Sequence, residues 1–135
     1  MEKQCYNEIV ELHSFFENWF NGKIEKKEEI FQRFLSVLNN NFEIITPSGQ
    51  KHTRKDIIDL VWSSHASRAN SNNPMKIWIE NFNFKQISNY LFLVTYEEWQ
   101  KLDGNDKGRL STAIFQRCEN PYHDINWIHV HETFL

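Results

Sequence analysis

The chain has 135 residues, a formal net charge of −3 and a pI near 6.1. That length suits one domain, which buries roughly two-thirds of its unfolded surface without staples. With 40% apolar and 24% charged residues it is neither disordered nor collagen-like, and its mild acidity argues against a nucleic-acid partner.

The first half reads as helical. Cys5, Ile9, Leu12, Phe16 and Trp19 step by four, three, four and three, one apolar stripe, which Phe15 and Phe20 widen. Asn21-Gly22 is a good stop, because both tolerate the left-handed conformation at a helix end. A second helix is expected over about Ile24 to Leu38, with Ile30, Phe31, Phe34, Leu35 and Leu38 at helical spacing, before Asn39-Asn40-Asn41 breaks the chain. Lys23 to Glu29 is a mixed-charge run and reads as a solvated helix face. Phe42 to Thr46 is a short strand candidate, followed by Pro47-Ser48-Gly49 as a tight turn. Thr53 with Asp56 three residues on has the pattern of a capping box, and Ile57, Leu60, Val61 and Ser64 give the third helix an inner face.

After a Ser- and Asn-rich loop, Arg68 to Pro74, the period changes. Lys76 to Ile87, Tyr90 to Leu102, Arg109 to Glu119 and Ile125 to Phe134 are strand candidates rich in β-branched and aromatic residues, joined by turn-like segments that include Asp103 to Gly108. Sequential hairpins imply an antiparallel sheet, and helices before strands give an α+β class. Long strands curl, so the expected architecture is three helices packed on a strongly curved antiparallel sheet, a cone whose mouth is a natural pocket. The aromatic content, 15%, suits such a pocket, a large core or an interface. Cys5 and Cys118 form no framework and read as reduced thiols of a cytoplasmic protein. The start, Met1 to Cys5, is polar without a leader-like apolar run, and the uncharged run Tyr90 to Tyr96 falls far short of a membrane span.

This order of elements resembles the nuclear transport factor 2-like superfamily, which includes ketosteroid isomerase-like and polyketide cyclase-like enzymes and the association domain of calcium/calmodulin-dependent kinase. Phe42 to Gly49 with the helix from Thr53, Arg109 to Phe115, and Trp127 to Thr133 carry the likeness. Small stand-alone domains of unassigned function are the branch it is most similar to. The resemblance implies a cone and, by habit of the superfamily, homodimers paired through the sheet. The isomerase trio of a buried Asp base with Tyr and Asp donors has no residue-by-residue match here.

Two constellations carry chemistry. Alternate strand residues share a face, so Trp127, His129 and His131 are expected to point one way. Two imidazoles there suit an acid–base pair or zinc, with His65, His123 or Glu98 as further ligands; they equally suit one hydrogen-bonded pocket His and one at the sheet surface. In Tyr96-Glu97-Glu98-Trp99-Gln100, Tyr96, Glu98 and Gln100 share a face. A hairpin with Leu102 opposite Arg109 sets Glu98 opposite Ala113 and Gln100 opposite Ser111, so Tyr96, Glu98, Arg109, Ser111 and Ala113 line one surface. Arg109 then neutralises Glu98 or holds an anionic ligand. Trp62 and His65 of the third helix are placed over the mouth, while His13 and His52 read as surface residues.

Three functions follow as expectations. The first is a binding module for a small neutral or anionic organic ligand, lined by Trp62, His65, Arg109, Ser111, Trp127 and His129. The second is a cofactor-independent isomerase, cyclase or dehydratase, with His131 as base, Glu98 as its partner and Tyr96 donating to developing negative charge. The third is a homodimeric interaction domain. No resident metal or cofactor is expected.

Overall fold

The computed structural model describes the whole chain, Met1 to Leu135. Its elements run α1 (Glu2–Phe20), α2 (Glu28–Leu35), β1 (Leu38–Ile45), β2 (Lys51–Thr53), α3 (Arg54–Ser63), β3 (Lys76–Gln86), β4 (Leu91–Leu102), β5 (Asn105–Arg117) and β6 (Ile125–Phe134). The sheet order is β2-β1-β6-β5-β4-β3. All neighbours are antiparallel except β1 and β6, so the sheet is mixed and open. The three helices cover its concave face, as the α+β cone requires.

The stripe on α1 buries Cys5, Ile9, Leu12 and Trp19. The helix stops at Asn21-Gly22. Gly22 has φ 69°, and a Cβ there would lie 2.9 Å from the Ala66 Cβ, so only glycine suits the site. The Asn21 amide donates to the Met75 carbonyl at 2.8 Å and its oxygen accepts the Met75 N–H at 3.0 Å, which ties the end of α1 to the start of β3. α2 is shorter than its periodicity predicts. Lys27 is extended at φ −128°, ψ 144°, and Leu38 already belongs to β1, where it buries its side chain. Asn39 to Asn41 continue that strand where its register against β6 shifts, so they interrupt pairing without ending the strand. The capping box forms: Asp56 N–H donates to Thr53 Oγ1 and Thr53 N–H to Asp56 Oδ2.

Two details of the sheet decide what faces inward. The connection from β4 to β5 is a two-residue turn, Asp103 at φ 50° and Gly104 at φ 82°, the signature of an Asp-Gly hairpin, and not a loop reaching Gly108. Glu98 therefore pairs with Arg109 in place of Ala113, and Tyr96 with Ser111. From 113 to 109 is a slip of four residues, an even number, so the set expected on one face is kept. β6 carries a bulge: Ile114 faces His129 and Phe115 faces Trp127, leaving Ile128 as the extra residue. The extra residue reverses the alternation. Trp127, Val130 and Glu132 point into the cone, and His131 is exposed on the other side. The expectation that Trp127, His129 and His131 share a face fails for this reason.

Candidate functional site

The helices shut the concave face incompletely and leave a cavity of about 530 Å³. Its walls are mostly hydrocarbon and aromatic: Phe16 and Phe20 from α1, Phe34 from α2, Phe42 from β1, Trp127 and Val130 from β6. At one side His13, Tyr96, Glu98, Gln100, Arg109 and Glu132 line the same space. This is the usual composition of a small-molecule pocket, an apolar wall with a few convergent polar groups.

His13 organises the polar group. Its Nδ1 lies 2.7 Å from the Ile9 carbonyl and its Nε2 lies 3.0 Å from Glu98 Oε1. Both partners accept, so both ring nitrogens donate and the imidazole is charged. Burial opposes that charge, but the Glu98 carboxylate and the two hydrogen bonds outweigh it and raise the His13 pKa. Burial likewise works against the Glu98 carboxylate; the His13 charge and hydrogen bond, then the Gln100 amide and Arg109, overcome it and hold Glu98 at about 2. Both Glu98 oxygens are thus engaged, in a side chain only 10% exposed.

Glu132 is different. It is 6% exposed and meets Arg109 Nη1 through one oxygen at 3.3 Å. Burial, then the neighbouring Glu98 charge, raise its pKa, with Arg109 and His13 only partly offsetting them. Burial and the same two carboxylates push the Tyr96 phenol well above its ordinary value. Ser111 sits between Tyr96 and Glu132 in the ladder, fully buried, and its hydroxyl has no hydrogen bond of good geometry. Trp127 is fixed from behind. Its indole N–H donates at 3.0 Å to Glu8, a core carboxylate that also accepts from Arg33 at 2.6 and 3.2 Å.

Of the residues singled out from sequence, Tyr96, Glu98, Arg109 and Trp127 line the chamber, and Ser111 lies just behind it. His129 and His131 are outside: His129 approaches Glu43 at 3.3 Å and His131 is exposed. Trp62 packs on Trp19 and Phe31 under Lys26, and His65 donates to the Ile24 carbonyl at 2.7 Å, so neither closes the mouth. Arg109 is paired with Glu132 and not with Glu98. Sequence reasoning missed His13 and Glu132. His13 follows Ile9 by four and precedes Phe16 by three, inside the apolar stripe, which argues for an inward position. Glu132 was hidden by the bulge, which leaves no mark in strand alternation.

The chain has the nuclear transport factor 2-like α+β fold. A nuclear transport factor 2-like protein of unknown function from Pseudomonas aeruginosa superposes with a TM-score of 0.83 at 20% identity, covering 98% of both chains. The association domain of C. elegans CaMKII superposes with a TM-score of 0.63 at 14% identity, over 98% of this chain and 97% of that one. Within this class the chain belongs to the sucrose-6-phosphate phosphohydrolase C-terminal family, whose pattern matches residues 5–135. Sucrose-phosphatase 2 of Nicotiana tabacum is 25% identical over 130 residues. The match takes in 95% of this chain but only 30% of that protein. Sucrose-phosphatase 1 of the same plant matches to the same extent. No helix of the chain is long and apolar enough to cross a membrane.

Proposed function

We propose that the chain is a small-molecule-binding domain, its chamber holding an organic ligand by an apolar body and a small polar head. The observation that carries this reading is the convergence of His13, Tyr96, Glu98, Gln100, Arg109 and Glu132 at one side of a cavity that also carries an aromatic wall of Phe16, Phe20, Phe34 and Trp127. Arg109 makes one hydrogen bond, at 3.3 Å to Glu132, and its remaining donors are free for a ligand head group. The names of the sucrose-phosphatase relatives bring a sugar phosphate into consideration. The aromatic wall of Phe16, Phe20, Phe34 and Phe42 speaks against it, because the disaccharide hydroxyls set against those rings lose their hydrogen bonds to water. Calorimetric titration with benzyl alcohol, 2-naphthol and octanol should show binding by at least one. Sucrose and sucrose 6-phosphate should not compete, and Ile44→Trp, which fills the cavity, should abolish the binding. A blank across these alcohols and the carboxylates of the same skeletons would remove this reading.

A cofactor-independent acid–base enzyme is a second reading, supported by two carboxyls whose surroundings push them apart, Glu98 downward and Glu132 upward. Glu132 and Glu98 then take the roles that strand spacing offered to His131 and Glu98, with Tyr96 as donor.

Self-association is compatible with either. The convex face carries Trp78 stacked on Trp99 at 6.4 Å, with Leu110 near them opposite Glu97, and further along the same strands the facing pair Leu93 and Ile114. Leu110 is 40% exposed, and such a patch suits a second copy of the chain. Sedimentation velocity at micromolar concentration should give the mass of two chains. Leu110→Lys combined with Ile114→Glu should give one chain with little change in melting temperature. A wild-type monomer would end the dimer reading.

A further inference from the structure

Resting on the binding reading above, we infer that the chamber takes apolar monocarboxylic acids, the ligand carboxylate seating on Arg109 while Glu132 takes up one proton. The charges facing Glu132 are few and nearly balanced. Arg109 comes from β5, Glu98 and the Tyr96 phenol from β4, and His13 from α1; α3 and the Ser64 that caps it offer only Ile57, Leu60, Val61 and Ser64, and His52 of β2 lies elsewhere on the same cavity wall. His129 and His131 of Glu132's own strand are outside the cone. His13 and Arg109 are two positive charges against the two carboxylates Glu98 and Glu132. An entering carboxylate therefore leaves one uncompensated negative charge in a space walled by Phe, Trp and Val, which a low-dielectric site resists strongly.

A proton removes that charge, and the geometry decides where it goes. Glu98 cannot take it readily: one oxygen faces the imidazolium of His13 at 3.0 Å and the other accepts from Gln100. Glu132 has a single contact, at 3.3 Å, and its partner Arg109 has a side chain one-third exposed and no other hydrogen bond. When a ligand carboxylate draws the guanidinium to itself, Glu132 loses its nearest counter-charge and its one hydrogen bond, while Glu98 stays beside it and His13 remains committed to Glu98. The exchange balances: ligand carboxylate, solvent proton and Glu132 carboxylate become an Arg109-bound carboxylate and a neutral Glu132 carboxylic acid. The new O–H needs an acceptor. Ser111 is opposite Glu132 in the β5–β6 ladder, and its buried hydroxyl, beside the Tyr96 phenol, makes no hydrogen bond of good geometry. Arg109 also suits the head group geometrically, since its planar fork matches a carboxylate in a way a lysine does not.

The test is calorimetry with matched pairs: benzoate with benzyl alcohol, 2-naphthoate with 2-naphthol, octanoate with octanol. Between about pH 5.5 and about pH 8.5 the carboxylates stay ionised in solution. Their affinity should fall with rising pH, approaching about tenfold per unit, as uptake of one proton demands. Buffers of differing ionisation heat should report close to one proton taken up per carboxylate and none per alcohol. Glu132→Gln, which imitates the neutral acid, should bind carboxylates without pH dependence or proton uptake. Arg109→Met, with its fold checked by melting, should lose the carboxylates and keep the alcohols. Alcohols binding while every carboxylate fails would overturn this inference and leave the binding reading intact. Failure of both series would overturn both. A pH slope that survives Glu132→Gln would place the proton elsewhere and sink the assignment.

Discussion

Replacing His13 with Leu should cost about 3–5 kcal/mol of folding stability, measured by urea denaturation at neutral pH, because it leaves the buried Glu98 carboxylate without its counter-charge. Glu98 is 8% exposed and its remaining neighbours are the Gln100 amide and the more distant Arg109. The double variant His13→Leu with Glu98→Met should recover most of the loss, since no charge is then buried alone. pH dependence supplies an independent check. His13 binds its proton more tightly folded than unfolded, so its contribution is complete below its ordinary value of 6.5 and disappears as pH rises through the raised folded value. Glu98 runs the other way: its contribution is complete above its ordinary 4.5 and is lost as pH falls toward about 2. Glu132 adds to the first trend, because its raised folded pKa makes the folded state less stable once both states are ionised. Wild-type stability should therefore be greatest on the mildly acidic side of neutrality and decline into the alkaline range. The double variant should lose the His13 part of that decline. A single His13→Leu variant as stable as wild type would mean that Glu98 finds solvent, and that the chamber is wet.

What could be read in advance follows from which forces are local. The helical stripe on α1, the Thr53–Asp56 cap and the four long strands are set by side-chain period and short-range hydrogen bonds, and these the sequence displays directly. The β4–β5 face survived a mistaken turn because parity, not exact register, decides which side chains look inward. Parity also explains the chief error. One extra residue at Ile128 turns His131 outward and Glu132 inward, and the bulge is fixed by where β6 meets both β5 and the parallel β1, a long-range circumstance. His13 and Glu8 were masked by a residue-type prejudice: both sit on the buried side of α1, and charged types read as solvated until partners from β4 and α2 are known.

Glu8 is the second such site, and Glu8→Ala should again cost about 3–5 kcal/mol. The carboxylate is fully buried and accepts three hydrogen bonds, two from Arg33 and one from the Trp127 indole. Its removal leaves the Arg33 guanidinium against the Tyr122 ring at 4.3 Å, with Glu11 no nearer than 3.9 Å, and leaves a buried indole N–H unpaired. Glu8→Gln keeps an acceptor but loses the charge, so it should cost less. Trp127→Phe should cost less still from the hydrogen bond alone, about 1–2 kcal/mol before packing losses, because Glu8 retains Arg33. The order matters more than the sizes. Trp127 packs on Phe115 at 4.4 Å and forms a chamber wall, so a wall held by its hydrogen bond should loosen in Glu8→Ala and weaken alcohol binding as well as stability. Should Glu8→Ala melt lower yet bind 2-naphthol as tightly as wild type, ring packing alone positions the wall and the carboxylate serves only the junction of α1 with α2.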